Sequence, residues 1–193
     1  MILHLLRAAA RRLRADEGSV TVEAVIMLPA LLWCYLGTYV FFDAYRAQTV
    51  NIKTAFTIGD TLSREQTLIT ERYIDSLYEL QDFLVHTDQD FALRITVAGY
   101  DAQNDAFTVA WSRTRGGPEE LDAVTLNENR DRIPAMSEVD HAIIVETWVD
   151  YAPAFQVGIE PFTFEDFVTL RPRSGGALCF DPVGDGDILD ALC

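Results

Sequence analysis

The pattern of hydrophobic and polar positions changes character twice along the chain. The first regime is a continuous apolar run, in which Ala24 to Phe42 are 19 consecutive residues without a charge. At about 1.5 Å per residue a helix of that length spans roughly 28 Å, close to the ~30 Å hydrocarbon core of a bilayer. The second regime has helical spacing: Ala44, Ile52, Ala55, Phe56, Gly59 and Leu62 recur at three- and four-residue steps, so the first helix is expected to continue past the apolar run with an amphipathic stripe. Ser63-x-x-Gln66 has the form of a capping box and predicts a second helix through residues 67–85, with Ile69, Tyr73, Leu77, Leu80 and Leu84 on one face.

After residue 90 the period falls to two. Phe91, Leu93, Ile95 and Val97 alternate with Ala92, Arg94, Thr96 and Ala98, and Phe107, Val109 and Trp111 repeat the pattern beyond the polar stretch GYDAQNDA. This predicts a hairpin, with further strands at 141–151 and 162–171 and a turn plus short helix or loop between the second and third strands. The expected fold class is α+β: a long N-terminal transmembrane helix continuing into a soluble domain with a small antiparallel sheet. The organisation read from these shifts is a basic leader (1–18), a transmembrane helix (19–42), a helical region continuing from it (43–90), a sheet domain (91–175) and an acidic C-terminal tail (176–193).

Charge decides how the apolar run is used. Arg7, Arg11, Arg12 and Arg14 precede it and Asp43 follows, so the positive-inside rule places the N-terminus in the cytoplasm and the rest outside. A cleaved secretory signal would have a shorter apolar region and a small-x-small site after it, whereas WCYLGTYVFFDAY is bulky throughout. The whole chain of 193 residues carries a net charge of −15 despite its basic leader. So acidic a domain repels phosphate backbones, and no nucleic-acid partner is expected.

One acid interrupts the head of the apolar segment. In EGSVTVE, Gly18 lies directly before the helix and Glu23 is the fifth residue after it. By position alone Glu23 either reaches the headgroups at the cytoplasmic end at little cost, or lies about one turn into the apolar stretch, where an ionisable group is costly and calls for a partner. The arrangement resembles the processing site of type IV prepilins, in which a membrane-embedded peptidase cuts after the glycine and the fifth residue of the mature chain is a glutamate. The resemblance implies a cut between Gly18 and Ser19, with Glu23 as a subunit-register acid that meets the new terminal amine of a neighbouring subunit. Ser19 departs from the aromatic common at the first mature position, and Pro29 falls eleven residues after the cut. With those departures, GSVTVEAVIMLPALLW resembles the opening of TadE/TadG-like minor pseudopilins of tight-adherence pilus systems, and VTLRPRSG at 168–175 resembles their strand and tail. The resemblance implies a pilin-like fold in which the sheet lies against the outer half of the first helix. It also implies a bacterial inner-membrane protein, with its C-terminal domain periplasmic, that may enter an extracellular pilus. Its partners would be a prepilin peptidase, other pilins and pseudopilins, and the pilus assembly platform. The alternative is an uncleaved, membrane-tethered periplasmic domain with a binding or enzymatic role.

The remaining chemistry is sparse. Cys34 lies in the apolar run and is read as a filler. Cys179 and Cys193 fall in the exported region, where oxidising conditions favour a disulfide; closing a 15-residue loop is worth about 3 kcal/mol on chain-entropy grounds. No H-E-x-x-H, G-x-S-x-G or P-loop occurs, and His4, His86 and His141 are scattered, so no catalytic residues, no metal and no cofactor are expected. Asp181, Asp185, Asp187 and Asp190 are dense enough to suggest calcium, but their spacing is not that of an EF-hand loop, and they are read as a solvated acidic turn.

Overall fold

The structure, a computed structural model of the chain, describes residues 19–173 and 176–193. The leader 1–18, with its arginines, His4 and Gly18, lies outside the described residues.

Helix α1 runs unbroken from Ser19 to Arg64 and passes through Pro29. Its 46 residues give it a length of about 69 Å. Then come the two-residue strand β1 (Ile69–Thr70), helix α2 (Glu71–Val85), and the hairpin of β2 (Phe91–Asp101) and β3 (Ala106–Arg115). The short helix α3 (Ala123–Glu128) and a 3-10 turn (Arg130–Arg132) follow, then β4 (Ala142–Tyr151), β5 (Phe162–Leu170) and β6 (Phe180–Asp181). Four strands form an antiparallel sheet in the order β3-β2-β4-β5, and β1 pairs with β6 in parallel. The architecture is therefore mixed helix and sheet, with a long apolar N-terminal helix and a small antiparallel sheet.

The sheet is covered on both faces. On one, Ala55, Ile58 and Leu62 of α1 and Ile74 and Leu77 of α2 pack on Leu93, Ile95, Val97, Ile143 and Val145. On the other, Leu126 of α3 and Ile133 cover Ala98, Phe107 and Ile144. Each of these aliphatic side chains contributes about 1.5–3 kcal/mol when fully buried. Gly59 lets α1 approach β5 closely, because a Cβ there would run into the side chain of Leu170. The C-terminal residues belong to this core: Leu178 and Phe180 are buried, Trp111 Nε1 donates to the Leu178 carbonyl at 2.6 Å, and the Trp111 and Phe180 rings lie 5.4 Å apart.

Three expectations are corrected. The capping box is not used: α1 continues through Ser63, whose hydroxyl donates back to the Asp60 carbonyl. Helix α2 starts instead at Glu71, with Thr70 as its cap accepting from the Tyr73 amide, and Ile69 is in a strand. The buried stripes are rotated from those expected. On α1, Asn51, Thr54, Ala55, Ile58 and Leu62 face the sheet, while Ile52 and Phe56 face out at 38% and 52% exposure. On α2 the buried residues are Ile74, Leu77 and Gln81, with Gln81 Nε2 donating to the Ala92 carbonyl at 3.0 Å. Finally, Phe107 and Trp111 do not share a face. The β2–β3 register shifts between Val97 and Ala98, where Val97 pairs with Trp111 and Ala98 with Val109. Such a bulge turns Trp111 to the helical side while Phe107 stays on the other.

Candidate membrane and assembly helix

The two halves of α1 differ in everything but secondary structure. From Val20 to Tyr35 every residue is exposed, with Val25, Leu31 and Tyr35 at 68–70%. Among the described residues, α1 is the one helix long and apolar enough to cross a membrane. The core helix of a water-soluble fold would pass the same length test, but its apolar surface would be covered; here no described residue covers it from Val20 to Tyr35. The free hydroxyl of Thr38 within this half is satisfied by the Cys34 carbonyl at 2.8 Å, as an apolar surrounding requires. Cys34 itself is an exposed free thiol.

Glu23 stands on this uncovered half, is exposed, and makes no hydrogen bond or ion pair to any described residue. Ser19 begins the helix, which places the junction with Gly18 at the helix start.

The domain takes hold of α1 at the outer end of the apolar run. Val40 is fully buried, and the Tyr151 hydroxyl, at the end of β4, donates towards the Val40 carbonyl (3.2 Å) and Asp43 Oδ2 (3.0 Å). Two rungs up, Asn51 Nδ2 donates to Asp166 Oδ2 of β5 at 2.8 Å, and burial raises the Asp166 carboxyl above its usual range. Further on, the Arg173 amide donates to the Ser63 carbonyl at 2.8 Å. The helix is thus fixed to the sheet along its whole outer half.

Burial, followed by the hydrogen bond to Asp43 and that carboxylate's charge, pushes the Tyr151 phenol up to about 12. An unfolded tyrosine ionises near 10.0, so this phenol's contribution to stability is complete below that pH and is lost as pH rises towards 12. Alkaline titration followed by phenolate absorbance should show one late-ionising tyrosine, and Tyr151→Phe should remove that late step.

Beside this junction is a cleft of about 500 Å³, bordered by Asp43, Arg46, His86 and Tyr151. Among the described residues, Tyr151 to Asp43 is the one hydrogen bond between its polar side chains, so nothing there pairs a nucleophile with a base. His86 ends α2 in a left-handed conformation (φ 48°), and His141 lies at the far end of β4.

At the opposite end, Cys179 and Cys193 are joined by a disulfide, with Cα atoms 4.3 Å apart. Inside the loop Asp181 accepts from the amides of Val183, Gly184 and Gly186 at 2.6–3.0 Å. These bonds, above all those from Gly184 and Gly186, hold its carboxyl below the usual range. Gly184 and Gly186 adopt φ near +80°, which lets the amides turn inward. Asp185 and Asp187 likewise accept from the amides of Asp187 and Leu189. These carboxylates order the turn, and no three His, Cys, Asp or Glu side chains gather among the described residues in a manner that could hold a metal.

A feature that sequence periodicity gives no hint of is the ion pair of Arg94 and Glu146 on adjacent strands. Arg94 Nε and Nη2 donate to the two Glu146 oxygens at 2.6 and 2.8 Å, Nη1 donates to the Glu119 carbonyl at 2.9 Å, and the guanidinium lies 5.1 Å from the Trp148 ring centre.

Comparison of the chain with protein-family models, with curated proteins and with solved structures returns no match.

Proposed function

We propose that this chain is a minor pilin-like subunit, a pseudopilin or assembly factor, of a Tad-type pilus. In this reading residues 24–42 anchor it in a bacterial inner membrane, the leader stays in the cytoplasm, the α+β domain is periplasmic, and a prepilin peptidase cuts after Gly18. The observation that carries the reading is the division of α1. Its inner half is apolar on every side, uncovered by any described residue from Val20 to Tyr35, and bears the single charge Glu23 at the fifth position after a glycine; its outer half is the spine of a folded domain. A spine so divided suits a subunit whose membrane half packs against other helices, where Ala24, Ala30 and Gly37 allow close approach. Glu23, without a partner among the described residues, would find one in a neighbour's terminal amine.

Co-expression with a prepilin peptidase tests this. The expected product has lost residues 1–18 and begins at Ser19, as read by intact mass and N-terminal sequencing. Persistence of the leader-bearing chain as the sole species would return it to the class of uncleaved tethered domains.

A further inference from the structure

We infer that the β4–β5 loop, residues 152–161, is a second membrane contact: it seats the domain on the lipid interface of the bilayer that α1 crosses. This rests on the reading of residues 24–42 as the bilayer span, and goes beyond it by fixing how the domain sits on the membrane.

The first support is where the domain grips the helix. Val40 is fully buried and its carbonyl accepts from Tyr151, and the Tyr39 ring meets Phe155, although both residues lie inside the uncharged run that ends at Phe42. Val40 is two residues from that end, about 3 Å along the axis, and Tyr39 about 4.5 Å. An upright helix that fills the hydrocarbon with residues 24–42 therefore carries this end of the domain into the headgroup layer.

The second is the contact made there. The Phe155 ring meets the Tyr39 ring edge-on, with centroids 6.1 Å apart and planes at 70°. Phe155 thus lies at the depth of a residue of the span itself, and is still 45% exposed. Phe162, at the start of β5, is 42% exposed and lies against Tyr151, the residue that grips Val40, with ring centroids 5.5 Å apart. Aromatic rings held at this level are the side chains that partition best to the membrane–water boundary, and interfacial burial of about 5–10 Å would cover them.

The third is composition. In a chain with 30 acidic residues, the loop APAFQVGIEP holds one charge, Glu160. The turns at the far end, by contrast, contain Asp101, Asp105, Glu138, Asp140, Asp185 and Asp187. Of the other loops at this end of the sheet, residues 86–90 carry His86, Asp88 and Asp90, the segment after β3 carries Glu119 and Glu120 beyond a Gly116 that lies against Phe91, and Asp150 flanks the contact. These acids stay in water, so the contact is one-sided, with residues 152–161 down and the cleft beside Asp43 open to solvent. The acids also set the lipid: zwitterionic headgroups accept this end of the domain better than an anionic surface does.

Site-directed spin labelling of the full chain in vesicles of zwitterionic phosphatidylcholine tests the proposal. Three labelled proteins are compared for collision with oxygen, which concentrates in lipid, and with a water-soluble nickel complex: the natural chain labelled at Cys34, Cys34→Ser/Ala154→Cys, and Cys34→Ser/Val139→Cys. Ala154 is chosen because it is exposed and leaves Phe155 in place, and Val139 because it is exposed (83%) at the far end. The expected result is an oxygen-to-nickel ratio at residue 154 several-fold above that at 139 and below that at Cys34. A ratio at 154 equal to that at 139, with Cys34 lipid-like, overturns the proposal and leaves the anchor standing. Low collision with both reagents at 154 means protein covers the loop and also overturns it. A water-like Cys34 removes the anchor and the proposal together.

Discussion

Glu146→Ala is expected to destabilise the domain by about 3–5 kcal/mol, the usual cost of orphaning one member of a buried ion pair. Both partners are shielded: the Arg94 side chain is 14% exposed and that of Glu146 5%. Removing the carboxylate leaves a shielded guanidinium on this face of the sheet with one carbonyl, that of Glu119, and the Trp148 face as its company. The pair itself need not be worth that much, because desolvation of two charges offsets most of their attraction. Hence a second arm: Arg94→Met/Glu146→Leu, which fills the same space without charge, should recover most of the loss. Urea unfolding of the chain in micelles, followed by tryptophan fluorescence, reads both variants. A Glu146→Ala protein as stable as the natural one would mean that Arg94 swings into water.

The second large effect is expected at Glu23. Glu23→Ala should leave membrane insertion and the fold of the outer domain intact, because this carboxylate touches nothing in the described chain and removing it makes the inner half of α1 more apolar. Association between chains should be lost. Cys34, exposed eleven residues further along the same half, supplies the readout: oxidative crosslinking of Cys34 to a neighbouring helix in native membranes should form with Glu23 and fall to background with Ala. Glu23→Gln separates charge from hydrogen bonding, and should also fail if the carboxylate neutralises a terminal amine. Undiminished crosslinking in Glu23→Ala would leave the acid as a bystander near the headgroups.

What was legible in the sequence is what has a period or an isolation. The run from Ala24 to Phe42 and the alternation around Leu93, Ile95 and Val97 are long and regular, so the long apolar helix, the sheet and its strands could be placed from them. The sides of the helices were harder to read. Ala55, Gly59 and Leu62 of the expected stripe are buried, but Asn51 and Thr54 join them on α1 while Ile52 and Phe56 are exposed, so apolar spacing pointed to one edge of the buried face. Gln81 occupies a core position on α2 because one backbone carbonyl, that of Ala92, happens to meet it. No glycine marks the bulge that reverses Trp111, and Thr70 took the capping role because α1 kept its helical bonds past Ser63. The disulfide pair Cys179 and Cys193 could be picked out because each cysteine is chemically conspicuous where it stands. Tyr151 and Asp43 could not, since a pair 108 residues apart in the chain is set by the fold alone.

The pairing of β1 with β6 ties residues 69–70 to residues 180–181, almost the whole length of the domain apart. Leu178 and Phe180 complete the core around Trp111, so a polypeptide that still lacks these residues has no way to close it. Long-range closures of this kind are slow and leave apolar surface open until they form. Maturation of this domain therefore waits for the last stretch of chain to arrive, and a shortened product, lacking only its final sixteen or so residues, would present the quality-control proteases with an open interior.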